Sequence, residues 1–300
     1  LIDQSKRNSY YTTLSQDQRR PFFNRATQAL YGPGSTFKPI TALAILEEGV
    51  LRPQDRFNAT GISQYGVKDW VINSGLAPFG MINMSDALGM SSNHYFADNG
   101  AKVGIDRLSA WMTALGFGAP TGLTLFPGEA SGIVPSREWK KKQFSDRTVS
   151  EQNWYPSDTE QISIGQGFHQ MTLIQLAQAY AAIANKGTVY TPQIVKEIAA
   201  PDGTIVFSAE PEVSLEVDAK ASTWSAMQEV LKAPIVHPRG TARGAMAGFP
   251  YSMAGKTGTW EVPGSVSNGL YVGYAPAENP EILVAVVVER GGGGSSAAAP

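Results

Sequence analysis

The chain contains no cysteine among its 300 residues. Disulfides, a thiolate nucleophile and thiolate metal ligands are excluded together. The compartment stays open, because exported proteins without disulfides are common. Histidine is nearly as scarce: His94, His169 and His237 are the three, and they are scattered. No run of about 18 apolar residues occurs, so no segment is expected to span a membrane. The chain opens Leu1-Ile2-Asp3 rather than with a charged start and an apolar stretch, so no signal peptide is read there. A protein working outside the cytoplasm would carry its export segment beyond these residues. Neither sign of charge dominates: the net charge is -2. The absence of a strongly basic patch or tail argues against nucleic acid as a partner. The short run Lys140-Lys141-Lys142 reads as a solvated face.

What is present suits a globular protein. Hydrophobic residues make up 42% and charged residues 17%, enough for a real core. The length fits one large domain, or a domain with a lobe. Residues 1–30 are polar and mixed. Gly32-Pro33-Gly34 then breaks the chain, and Phe37, Ile40, Leu43, Ala44 and Leu46 recur at helical spacing. Pro39 fits only a first turn, so a helix begins near Ser35 or Thr36 and stops at Gly49. Residues 51–84 read as loop-rich. Helical patterns follow near 85–90, over 94–103, and through Ile105, Leu108, Trp111, Met112 and Leu115. Residues 117–160 read as long loops with short elements. Thr172 and Gln175 form a capping box for a helix through Leu176, Tyr180 and Ile183 that ends at Gly187. A further helix lies near 222–232. The last quarter reads as strands: Tyr251 to Trp260, Gly269 to Tyr274 and Ile282 to Glu289. The last two are expected to form an antiparallel hairpin. Val284, Val286, Val287 and Val288 suggest a strand covered on both faces, and Gly291 to Gly294 a linker. The fold class is α+β: a helical lobe followed by an antiparallel sheet.

Three polar clusters could carry chemistry. In Ser35-Thr36-Phe37-Lys38, positions three apart share a helix face. A serine hydroxyl is a poor nucleophile until a base takes its proton. Lysine, with a pKa of about 10.4 in water, becomes such a base only when burial or a neighbouring cation lowers that value. A helix N-terminus also favours negative charge and offers N–H groups to a developing oxyanion. Alone, Ser-x-x-Lys is more often a cap followed by a solvated lysine. Ser91-Ser92-Asn93, alone, is a polar turn between two helices. In Lys256-Thr257-Gly258-Thr259, on an expected strand, glycine permits close approach of a ligand backbone or marks a bulge. All three together, in this order and on suitable elements, reverse the weighing. Such a set marks penicillin-binding proteins and related β-lactamases, with aspartate in the middle of the second motif; here that position is Ser92.

The sequence resembles the transpeptidase domain of class B penicillin-binding proteins, and within these the elongation-type penicillin-binding protein 2. The resemblance covers about residues 20–290. It is carried by Tyr31-Gly32-Pro33-Gly34-Ser35-Thr36-Phe37-Lys38-Pro39, Gly104-Ile105-Asp106-Arg107-Leu108, Ser136-Arg137-Glu138-Trp139-Lys140, Trp154-Tyr155-Pro156, Ile164-Gly165-Gln166-Gly167 and Ala254-Gly255-Lys256-Thr257-Gly258-Thr259. It implies a penicillin-binding, β-lactamase-like fold and a serine D,D-transpeptidase that cross-links peptidoglycan stem peptides. Ser35 would attack the carbonyl of a D-alanyl-D-alanine stem peptide, with Lys38 as general base. Ser91 would relay the proton to the departing D-alanine. Asn93 would position Lys38 and the substrate amide. Lys256 would hold Ser91 and add positive potential. Thr257 and Thr259, with Gly258 between them, would bind the substrate carboxylate. The backbone N–H groups of Ser35 and Thr259 would form the oxyanion hole. β-Lactams would trap Ser35. No cofactor is implied. The implied partner is a membrane glycosyltransferase of the shape, elongation, division and sporulation family, and the implied place is the periplasmic face of the bacterial cytoplasmic membrane.

Some relatives bind zinc between the first two motifs. Residues 51–90 hold neither His nor Cys, so no metal is expected. His94 adjoins the second motif, but a packed or surface histidine is the preferred reading over a cleft-lining one. Residues 1–300 are taken as one transpeptidase domain. Full-length relatives carry a membrane helix and a pedestal, a first sheet strand ahead of the nucleophile helix, and a closing helix after the last strand. The chain is therefore expected to be cropped at both ends, which would leave a sheet edge unpaired. A class A β-lactamase would need a deacylating glutamate, and no Glu-x-x-Leu-Asn is found. A D,D-carboxypeptidase shares all three motifs. A β-lactam sensor keeps the acylation site without turnover.

Overall fold

The computed structural model describes residues 4–123 and 128–300. The polar stretch at the start forms helix α1 (Gln4–Ser15), whose described side chains lie in solvent, so no hydrophobic period marks it. The helix expected from Ser35 begins as a 3-10 turn, Gly34–Phe37, and continues as α2 (Lys38–Glu47), with Pro39 in its first turn. Every residue of α2 from Lys38 to Ile45 is buried. It has no solvent face, and a helix surrounded this way forms the centre of the core. Phe37, Ile40, Leu43 and Ile45 are fully buried there, each stabilising by about 1.5–3 kcal/mol relative to exposure.

The loop-rich stretch holds β1 (Phe57–Ala59), α3 (Trp70–Asn73) and β2 (Gly80–Ile82), with β1 and β2 paired antiparallel. The three helical patterns become α4 (Met84–Met90), α5 (Asn93–Val103) and α6 (Ile105–Ala114). A capping box of Asn83 and Asp86 starts α4. Ser91 ends it in the left-handed conformation, φ 60°, so α4 and α5 meet at a sharp turn. Helices α7 (Arg137–Gln143), α8 (Val149–Gln152) and α9 (Pro156–Ser163) are the short elements expected over 117–160; residues 124–127 of that stretch lie outside the described ones. One expectation fails here. Lys140 is not solvated: it is buried, paired with Asp158 at 2.6 Å, and its ammonium faces the rings of Trp154, Tyr155 and Phe168. Those aromatics are distant in sequence, so a three-lysine run hides the burial of its first member. Lys141 and Lys142 are exposed as expected.

The capping box of Thr172 and Gln175 opens α10 (Leu173–Ala184). Four short strands follow, β3 (Thr188–Tyr190), β4 (Glu197–Ala199), β5 (Ile205–Ser208) and β6 (Val213–Glu216), paired β3 with β6 and β4 with β5. Then come α11 (Ala221–Val230) and α12 (Ala233–Val236). The main sheet is antiparallel and holds β7 (Ala254–Trp260), β8 (Asn268–Ala275) and β9 (Ile282–Val288), in that spatial order. Every residue of β8 is buried. Strand β9 is not covered on both faces as its valines suggested: Val284 is 49% exposed and Ile282 63%. Its neighbours alternate with them, the pattern of a strand half in solvent. Gly291 to Gly294 is not a free linker either. Gly294 is buried and starts α13 (Gly294–Ala297), which packs on β7 and β8. The α+β class is as expected.

Candidate active site

Close backbone packing joins the first and third motifs. A Cβ added at Gly258 would lie 2.8 Å from Thr36 Cγ2 and 2.9 Å from the Pro33 carbonyl oxygen. Only a glycine lets β7 lie this close to the 3-10 turn. On the other side of the turn, the Gly34 N–H donates to the Gly165 carbonyl at 2.9 Å. Gly165 has φ +81°, and a Cβ there would fall 1.9 Å from the Gly34 carbonyl oxygen. Gly165→Ala is therefore expected to cost about 3 kcal/mol or more in urea unfolding, from backbone strain and overpacking together. Gly49→Ala is the control, because its φ is also positive (+67°) while nothing lies within 4 Å. Equal losses at the two positions would contradict the packing account.

A cleft of about 670 Å³ opens at this junction. Ser35, Ser91, Asn93, Thr257, Gly258 and Thr259 all line it. Lys38 and Lys256 lie immediately behind, fully buried. The structure thus brings all eight predicted side chains and backbones together. Ser35 is half-buried at the wall. Lys38 Nζ donates to Asn93 Oδ1 (2.6 Å), to the Ser91 carbonyl (2.7 Å) and to Ser91 Oγ (3.1 Å). The left-handed turn at Ser91 is what presents both its carbonyl and its hydroxyl to one amine. Lys256 Nζ donates instead to the Thr257 carbonyl at 3.1 Å. The Ser91 hydroxyl, which Lys256 was expected to hold, takes its bond from Lys38.

Burial governs the electrostatics. Desolvation brings Lys38 down to about 7, opposed by the charge of Asp69. Lys256 is pushed well below the usual lysine range, by burial first and by the Lys38 charge second. Two amines facing one small site disfavour each other's charging. An anion beside Lys256 would favour its charged form and the positive potential expected of it.

Three residues in or beside the cleft were not among the predicted site residues. Asp69 is fully buried and accepts from Ser92 Oγ (3.0 Å) and from the Asn93 and His94 N–H groups. Thr241 Oγ1 accepts from Thr257 Oγ1 at 2.7 Å. Gln166 Nε2 donates to the Thr259 carbonyl at 3.1 Å. Gln166 belongs to a stretch that carries the resemblance, Thr241 follows a Pro-Arg-Gly turn, and a lone aspartate in a loop is not a motif.

The histidines stay out of the cleft. His94 is buried, accepting from the Gly61 N–H at 3.1 Å and facing Asp98 at 3.2 Å. His169 is buried edge-on between Phe37 and Phe117 and held down to about 3 by burial. His237 Nδ1 accepts from the Arg239 N–H at 3.0 Å. Among the described residues no group of three or more His, Cys, Asp or Glu could hold a metal ion.

The chain is similar to known proteins over nearly its whole length. Residues 3–300 match the penicillin binding protein transpeptidase domain family. Peptidoglycan D,D-transpeptidase MrdA of Haemophilus influenzae is 33% identical over 97% of this chain and 46% of its own length. The crystal structure of Pseudomonas aeruginosa PBP2 in complex with WCK 5153 superposes with a TM-score of 0.83 at 38% identity, covering 97% of this chain and 64% of that one. A chain from a peptidoglycan synthase complex that coordinates polymerization and crosslinking superposes with a TM-score of 0.83 at 32% identity, covering 97% of this chain and 48% of that one. The chain thus spans about half the length of the curated relatives it matches.

Proposed function

Since the chain belongs to the penicillin-binding protein transpeptidase family, we propose that it cross-links peptidoglycan stem peptides through an acyl-enzyme on Ser35, and that residues 1–300 act as one transpeptidase domain. The observation that carries this is the buried amine of Lys38, hydrogen-bonded to Ser91 and Asn93 directly behind the cleft that Ser35 lines.

The chemistry follows from the placement. Ser35 Oγ attacks the carbonyl carbon of the penultimate D-alanine while Lys38 Nζ takes its proton. With a pKa of about 7, Lys38 is half neutral near neutrality, close to the optimum for a general base. The resulting oxyanion is held by the N–H groups of Ser35 and Thr259, which lie on touching backbone segments: a Cβ at Gly34 would fall 3.0 Å from the Thr259 nitrogen. Fixed donors at a developing charge account for a large part of such catalysis. Ser91 Oγ, within 3.1 Å of Lys38 Nζ, returns the proton to the departing D-alanine nitrogen. The tetrahedral carbon collapses, the C–N bond breaks and an ester on Ser35 remains. The amine of a second stem peptide then attacks that ester, loses its proton through the same relay and frees Ser35.

Asn93 orients Lys38 and the substrate amide. Thr257 and Thr259 bind the terminal carboxylate with Gly258 between them. Thr257 and Thr241 can exchange donor and acceptor roles, which frees the Thr257 proton for the ligand. That carboxylate also supplies the anion that raises Lys256 toward its charged form. A β-lactam offers the same carbonyl and carboxylate, so it acylates Ser35 and stays. Cross-linking of stem peptides belongs at the extracytoplasmic face of the bacterial cytoplasmic membrane, in the periplasm, and that is the location we propose; no described helix is long and apolar enough to cross a membrane. The similarity to a chain from a peptidoglycan synthase complex that coordinates polymerization and crosslinking supports a membrane glycosyltransferase as the partner.

A D-alanyl-D-alanine peptide supplied with and without a free amine tests the reaction. Release of D-alanine with an amide-linked dimer as the main product is expected. Hydrolysis alone would identify a D,D-carboxypeptidase, and a stable penicillin adduct with no peptide turnover would identify a sensor.

A further inference from the structure

Asp69 lies outside the three motifs, yet it is the best-connected carboxylate near the cleft. It is fully buried, at the loop end just before α3. Its oxygens accept from Ser92 Oγ at 3.0 and 3.2 Å, from the Asn93 N–H, and from the His94 N–H at 3.0 Å. These donors are the first residues of α5 and its cap, where the helix favours negative charge. Its own N–H donates to the Gly61 carbonyl at 2.8 Å, which ties the carboxylate to the loop behind.

The same segment settles how Asn93 is turned. Asn93 Nδ2 donates to the Lys68 carbonyl at 2.8 Å. With the amine end of the amide committed there, Oδ1 is the end that meets Lys38 Nζ, at 2.6 Å. Asn93 is thus gripped by Lys68 and Asp69 on one side and faces Lys38 on the other. The groups around Lys38 are few. Ser91 and Asn93 touch its amine, the Phe96 ring lies 5.9 Å away, and Lys256 is the cation that senses it. Asp69 is the anion whose charge opposes desolvation at Lys38. Tyr180 donates to the Thr36 carbonyl, His169 packs on Phe37, and Glu47 pairs with Lys220 at the far end of α2.

We propose that Asp69 is a positioning residue for the acylation step: it fixes the orientation of Asn93 and places a buried negative charge behind Lys38, keeping that amine basic enough to take the Ser35 proton. The inference rests on the reading of Lys38 as the base. Deprotonated Lys38 is the active form, so acylation climbs about tenfold per pH unit below the Lys38 titration and levels above it. Removing a nearby negative charge disfavours the ammonium, lowers the titration and moves the acid limb down. Removing a donor that partly neutralises the carboxylate does the opposite.

The test is the acylation rate with a chromogenic cephalosporin across pH 5 to 9, for the native chain, Asp69→Asn and Ser92→Ala, each checked for folding by near-ultraviolet circular dichroism. The limb of Asp69→Asn is expected about one pH unit or more below the native limb, with a several-fold lower plateau because a weaker base is a poorer catalyst. The limb of Ser92→Ala is expected to rise by a few tenths of a unit. A merely structural aspartate would lower rates without moving either limb. A folded Asp69→Asn with an unmoved limb overturns the proposal. Should Asp69→Asn not fold, Ser92→Ala decides: a raised limb supports the proposal, an unmoved or lowered one overturns it. A folded native chain that is not acylated at any pH overturns the reading of the cleft, and this inference with it.

Discussion

Ser35→Ala is expected to leave a folded chain that forms no penicillin adduct where the native chain is fully acylated. The substitution removes one oxygen from a half-buried position in the 3-10 turn. The backbone bonds of the turn persist, including that from the Lys38 N–H to the Ser35 carbonyl, and the close contacts of Gly34 and Gly258 are untouched. Stability should therefore change little, while acylation falls by more than about 10⁴-fold, the usual consequence of deleting a nucleophile. Noncovalent binding should survive, because Thr257 and Thr259 remain. Intact-mass measurement reads the adduct, and competition with a fluorescent penicillin reads the residual binding. An undiminished adduct would move the nucleophile to another hydroxyl of the cleft, with Ser91 the first alternative because it bonds Lys38.

Replacement of Lys38 is the second large effect. Lys38→Met keeps the volume of a fully buried side chain and removes the amine. Loss of a positioned general base costs about 10²–10⁴-fold, and the upper part of that range is expected because Ser91 and Asn93 lose their shared donor as well. Lys38→Arg separates base from charge. A guanidinium keeps the positive charge but does not deprotonate in a protein, so it should fail as badly as methionine. Partial rescue by arginine, seen as a rate well above that of Lys38→Met, would make Lys38 an electrostatic anchor rather than a base. Single-turnover acylation kinetics distinguish the two.

Much of the site was legible because its signals are local. Ser35 and Lys38 are one turn apart, and Lys256, Thr257 and Thr259 lie on one strand marked by its neighbours. The capping box at Thr172 announced α10, and the valine-rich end announced the sheet. What escaped depends on distant chain. Asp69 has no motif around it, and its meaning arises only when α5 swings its N-terminus over it. Lys140 looked solvated because Trp154 and Phe168 close over it from later loops. The four strands over 188–216 were not read: β4, β5 and β6 are exposed along their lengths and β3 buries only its middle residue, so no hydrophobic alternation survives to mark them. Strand β9 misled for the complementary reason: its valines promised two covered faces, yet Val284 is about half exposed. The exchange of partners at Ser91, bonded by Lys38 rather than Lys256, follows from a left-handed turn that Ser-Ser-Asn does not reveal.

The measurement that bears most directly on the central claim is peptide mapping of the native chain after brief exposure to a penicillin. A single acyl group on the peptide containing Ser35, with fragment ions placing it on that residue, is the predicted result. An acyl group on any other side chain, or none on a chain shown to be folded, would contradict the assignment of Ser35 as the acyl carrier.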